Sequence, residues 1–74
     1  MSRENLKKAR KKLGLTQQAM ADRLYINLRY YQMIEQGSRI GSVEIWDQLE
    51  DLTAVHQRIL REIEATHPDQ GASR

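Results

Sequence analysis

The sequence predicts an all-α domain, a compact bundle of five short helices. Three observations carry that expectation. Apolar residues recur at spacings of three and four, the period of an amphipathic helix. β-branched residues never alternate with polar ones over a useful length, so strands have no template. Gly14, Gly37 and Gly41 stand where the helical period breaks off, and the one proline, Pro68, lies beyond the last apolar repeat. A chain of 74 residues holds one small domain, expected over 1–66, followed by a flexible C-terminal tail over 67–74.

The first helix is expected from about Ser2 to Leu13, with Ser2 as N-cap and Glu4 in the first turn. Leu6, Ala9, Arg10 and Leu13 share one face of it. Gly14 stops it in a left-handed conformation. Thr16 caps the second helix, with Leu15 and Met20 placed for a hydrophobic staple and Met20, Ala21 and Leu24 facing inward. A short turn at Tyr25-Ile26-Asn27 leads into a third helix, capped by Asn27 and ended by Gly37. Residues 37–41 form a loop. Ser42 caps a fourth helix whose inward residues are Val43, Ile45, Trp46, Leu49 and Leu52.

The next boundary is open on pattern alone. A continuous helix over 42–66 would show a seam at Ile45, Leu49, Leu52, His56, Ile59 and Ile63, spaced as in a coiled coil. His56 suits such a seam poorly, and a chain this short needs a compact core. The expectation is therefore a break near 53–55 and a short fifth helix packing Ile59, Leu60 and Ile63.

Composition narrows function. Apolar residues make up 39% and charged residues 30%, with mean hydropathy −0.75, the balance of a soluble globular domain. No run of about 18 apolar residues is present, so no membrane span is expected. The basic N-terminal residues are not followed by an apolar stretch, so no secretory signal is expected. There is no cysteine, which removes disulfides, thiolate metal sites and thiol catalysis. His56 and His67 have no clustered partners, so no metal is expected. No activated nucleophile, acid–base pair or Gly-rich phosphate loop occurs. An enzyme, a cofactor and a small-molecule ligand are all unexpected, and the location expected is cytoplasmic.

The charge is divided. Residues 1–40 hold nine Lys/Arg against three Asp/Glu, and residues 41–74 hold three against seven. A basic half facing a polyanion with an acidic half turned away suits nucleic-acid binding. Lys7, Lys8, Lys11 and Lys12 could equally be the solvated face of the first helix.

Two short helices joined by a three-residue turn inside an all-helical domain make a helix-turn-helix. Residues 17–36 (QQAMADRLYINLRYYQMIEQ) resemble the DNA-binding motif of the Cro/phage-repressor family. Ala21 is the small residue where the helices cross, and Met20, Leu24, Ile26, Tyr31 and Ile34 are the buried positions. The flanks "KKARKKLGLTQ" and "IEQGSR" match in register, and "IWDQLEDL…VHQRIL" is similar to a variety with a short loop before the last helix. The resemblance covers about residues 3–63 and implies a lambda repressor-like fold. It also implies a bacterial or phage-encoded, nucleoid-associated regulator, most simply a repressor of transcription, with double-stranded DNA as partner.

Helix geometry places the contacts. At about 100° per residue, Leu28, Arg29, Gln32, Met33 and Gln36 fall within an arc of about 140° on the third helix. That face is free to enter the major groove. Arg29 suits guanine, Gln32 suits adenine, and Leu28 and Met33 suit thymine methyls. Gln17 resembles the family's phosphate-clamping glutamine. Tyr30, Gln36, Ser38 and Arg39 are further phosphate candidates, Arg39 together with the loop amides of Gly37 and Ser38. Arg10 lies on an apolar face, and the resemblance pairs it with Glu35 in a buried ion pair; a phosphate contact is the alternative. Tyr30 could instead pack, and Trp46 is read as a core anchor. A homodimer through the C-terminal helix is expected, with Val55, Ile59 and Leu60 as contacts. The competing reading keeps the fold as a protein-interaction module or antitoxin, with Leu28, Tyr30 and Met33 docking a protein. Tyr25 departs from the family, which usually has glycine at that turn. Either the turn has changed shape or Tyr25 packs well enough to compensate.

Overall fold

The computed structural model describes residues 2–63; Met1 and residues 64–74, and with them the predicted tail, lie outside the described residues. Five helices follow in order: α1 (Glu4–Lys12), α2 (Gln17–Leu24), α3 (Leu28–Gln36), α4 (Val43–Thr53) and α5 (Gln57–Leu60). No strand runs among them. The all-α, lambda repressor-like bundle read from the sequence is the fold observed.

Local chemistry explains most boundaries. The Thr16 hydroxyl accepts from the Ala19 amide at 3.0 Å, Asn27 Oδ1 from Tyr30 at 2.8 Å, and Ser42 Oγ from Ile45 at 3.3 Å. Each closes an otherwise open amide at a helix start. The break after α4 occurs without glycine or proline. Ala54 takes a left-handed conformation (φ 60°), and the Thr53 hydroxyl turns back to the Leu49 carbonyl at 2.8 Å. His56 then caps α5 through Nδ1, which accepts from the Arg58 amide at 3.0 Å.

The core gathers Leu6, Met20, Ala21, Leu24, Tyr31, Ile34, Ile45, Trp46, Leu49 and Leu60, with Leu15, Ile26, Leu52 and Val55 packed at its margin. A fully buried side chain of this kind contributes roughly 1.5–3 kcal/mol. Trp46 is the largest, and its indole N–H donates to the Ile40 carbonyl at 2.7 Å.

Several expectations are corrected. Ser2 does not cap α1. The helix begins at Glu4 after Arg3, and the Ser2 hydroxyl donates to the Glu4 carboxylate instead, which holds that carboxyl below its usual range. Leu13 lies just past the end of α1 and Val43 opens α4; both are exposed. The buried face of α1 ends at Arg10 and that of α4 begins at Ile45. On α5, four residues present only one position fully inward, so Leu60 is buried while Ile59 and Ile63 are exposed.

Candidate nucleic-acid interface

Ala21 of α2, the residue that the resemblance places at the crossing with α3, is fully buried. The turn between them keeps the left-handed geometry: Tyr25 has φ 59° and ψ 40°. Its side chain is 91% exposed, so neither alternative holds: the turn has not changed shape, and Tyr25 does not pack. Ile26 is half-buried against the core, and Asn27 then starts α3.

One face of α3 carries Tyr31, Ile34 and Glu35 into the interior. The opposite face carries Arg29 and Gln36 exposed, with Leu28, Gln32 and Met33 half-buried. Arg29, Gln32, Met33 and Gln36 line one shallow concavity. Tyr30 sits at the margin, half-buried against the core.

Glu35 organises what lies behind that face. Its carboxylate is fully buried and accepts from four donors. Arg10 Nε lies 2.6 Å from Oε2 and Nη2 3.4 Å from Oε1. The Tyr31 hydroxyl donates at 2.5 Å, and Gln17 Nε2 at 3.0 Å. Arg10 reaches further, to the Leu15 carbonyl at 2.9 Å, so one guanidinium joins α1, the α1–α2 connection and α3. The hydrogen bond to Glu35 raises the Arg10 pKa above its ordinary value, against desolvation. Burial, then the hydrogen bond to Glu35, pushes the Tyr31 phenol well above its own. Among the described residues, no buried side-chain polar atom lacks a partner.

The network continues outward. Gln17 receives a hydrogen bond from Gln32 Nε2 at 3.2 Å. Gln17 is therefore not a free arm waiting for a phosphate. It is held by Glu35 on one side and holds Gln32 on the other. Gln32, at the centre of the outward face, is oriented from behind by the ion pair.

Beyond α3, the loop amides do not serve as the expected anion clamp. Gly37 N–H donates to Ile34 O at 3.1 Å, and Ser38 and Arg39 N–H to Met33 O at 3.0 and 3.3 Å. They close the C-terminus of α3. The Ser38 hydroxyl also turns back to the Met33 carbonyl at 3.2 Å, while the Arg39 side chain is exposed.

Reading the sequence missed Arg3. Its side chain is buried, 4% exposed, and reaches no carboxylate among the described residues. Nη1 donates to the Ile34 and Arg39 carbonyls at 2.5 and 2.9 Å, and Nε to the Arg61 carbonyl at 3.0 Å. Its backbone N–H donates to Glu35 O at 2.8 Å. The guanidinium lies 5.3 Å from the centre of the Trp46 ring. A cation at a helix C-terminus complements the dipole and its open carbonyls. Only its place one residue before the first helical period could have marked it.

The sequence profile of a helix-turn-helix family, of the Cro/C1 type, matches residues 6–60, most of the chain. The chain belongs to this family. No curated protein matches, and no solved structure does. Helix-turn-helix proteins of this family are DNA-binding regulators, so the outward face of α3 is the candidate DNA surface. The matched span runs from Leu6 to Leu60 and takes in all of the Glu35 network. Arg3 and Arg61 lie outside it, and their contacts belong to this chain's own structure. No helix among the described residues is long and apolar enough to cross a membrane, and no group of His, Asp or Glu among them could hold a metal ion.

Proposed function

We propose that this helix-turn-helix protein is a sequence-specific transcriptional repressor that inserts α3 into the DNA major groove. One observation carries the reading: the outward face of α3 presents Arg29 and Gln32 side by side, with Gln32 held by a chain of hydrogen bonds ending on a buried ion pair. A base-reading side chain fixed before it meets DNA loses less freedom on binding. Arg29 reads guanine, Gln32 reads adenine, and Leu28 and Met33 pack on thymine methyls. Tyr30, Gln36 and Arg39 serve phosphates, and Gln17 does so only through whatever donor capacity Glu35 leaves it. Repression follows from occupying an operator and excluding polymerase, in a bacterial or phage setting.

One such module makes few contacts, so a homodimer on a palindromic site completes the proposal. Leu60 is fully buried and is not available to a partner. The exposed apolar residue of α5 is Ile59, with Val55 half-buried beside it, and these form the dimer contact. The protein-docking alternative has less to work with, because Tyr30, one of its three residues, packs on the core.

The test is selection of bound duplexes from a random pool at low and at physiological salt. A palindromic sequence should be enriched, and Arg29→Ala and Gln32→Ala should each cost about 1–3 kcal/mol on it. Ile59→Lys should weaken binding to the full site and leave half-site binding unchanged. A pool that never enriches a sequence would overturn the reading.

A further inference from the structure

A second concave surface has no α3 residue in its lining. Arg3, Ile40, His56, Gln57, Arg58, Arg61 and Glu62 line an open cleft between the N-terminus, the 37–41 loop and α5. Its polar groups are mostly turned elsewhere. Gln57 Nε2 donates to Asp47 and Glu50, Glu62 accepts from Asn5, and His56 Nδ1 is engaged at the α5 cap. The three guanidiniums are not so engaged with acids. The salt bridges among the described residues are Lys7–Glu4 and Arg10–Glu35, so Arg3, Arg58 and Arg61 face no carboxylate at contact distance there. The Arg3 and Arg61 guanidiniums lie 5.3 and 5.9 Å from the centre of the same Trp46 ring. Burial, and secondarily the nearby Arg61 charge, lower the Arg3 pKa. The Arg3 hydrogen bonds run from Nε and Nη1, while Nη2 makes none among the described residues. Buried charge is ordinarily paired.

We propose that this cleft is an oxyanion site that takes a phosphate group, held by the guanidiniums of Arg3, Arg58 and Arg61. Arginine forks match a phosphate through paired, charge-assisted hydrogen bonds. The phosphate belongs either to the DNA backbone, reached past Ile40 of the loop, or to a small phosphorylated molecule. The proposal does not depend on the DNA-binding reading.

Trp46 is the only tryptophan and stacks on two of the three arginines, so its fluorescence reports occupancy. The full chain is titrated with inorganic phosphate at constant ionic strength set by KCl, and calorimetry repeats the titration without reliance on the ring. A saturable response is expected, and Arg58→Ala and Arg61→Ala should each weaken binding by at least about tenfold. Both side chains are exposed, so neither variant threatens the fold. No saturable response at constant ionic strength, or saturation unchanged in both variants, overturns the proposal. Adding a short duplex separates the sources. Displacement of phosphate identifies the DNA backbone, and simultaneous binding identifies a small phosphorylated ligand. Failure to bind any duplex would sink the DNA-binding reading while the phosphate titration still decides this one.

Discussion

At the scale of single residues, Tyr25 and Tyr31 show opposite uses of an aromatic side chain. Tyr25 holds a positive φ that favours glycine, and its exposed ring returns no packing. Replacing Tyr25 by glycine should therefore raise stability by about 1 kcal/mol, read as a higher midpoint in urea with an unchanged slope. Tyr31 is buried with its hydroxyl on Glu35. Its folded pKa is raised, so the unfolded chain ionises first, near the ordinary phenol value of about 10. Stability from this group is complete below that pH and falls as pH rises beyond it. Tyr31→Phe should lose about 1 kcal/mol near neutrality. It should also unfold with a shallower alkaline slope, followed by circular dichroism from pH 8 to 11. The sequence marked both residues, Tyr31 as core and Tyr25 as a departure. Arg3 left no such mark, because its value depends on carbonyls 31, 36 and 58 positions away.

At the scale of elements, the caps at Thr16, Asn27 and Ser42 were legible because a cap is a contact three residues long. The α4–α5 break was legible only by rejecting the continuous seam. The chain itself enforces it with a left-handed Ala54. Glycines separate local from tertiary demands. At Gly14 a Cβ would meet nothing within 4 Å, whereas at Gly41 it would lie 3.2 Å from Trp46 Nε1 and 3.3 Å from Ile34 Cδ1. Both have positive φ. Gly14→Ala should cost about 1 kcal/mol from backbone conformation alone. Gly41→Ala should cost about 2 kcal/mol or more, because the loop must also move off Trp46. Thermal denaturation of the two variants side by side checks the difference. Equal losses would show that the Trp46 contact yields easily.

At the scale of the whole molecule, the Arg10–Glu35 pair ties α1 to the helix that carries the outward face. Arg10→Met leaves Glu35 buried without its cation and should cost about 3–5 kcal/mol. Adding Glu35→Gln removes the stranded charge and leaves an acceptor for Tyr31. The double variant should recover much of that stability in urea denaturation. It should not recover discrimination among duplexes, since Gln17 and Gln32 lose their charged anchor. Recovery of both would mean that the network serves stability alone.

The sequence by itself determined the run of helices, the caps at Thr16, Asn27 and Ser42, the burial of Ala21 and which face of α3 points outward. Each follows from residue type and a spacing of a few positions, where the helical period dominates. The tertiary structure decided which donors remain free. Gln17 and the loop amides, fit for a phosphate in isolation, are engaged with Glu35, Gln32 and the end of α3. Leu60 went to the core and Ile59 to the surface, and Arg3 found three carbonyls and a tryptophan face. Periodicity assigns a residue to a side of a helix. Only the packed chain brings a donor within about 3 Å of the acceptor that claims it.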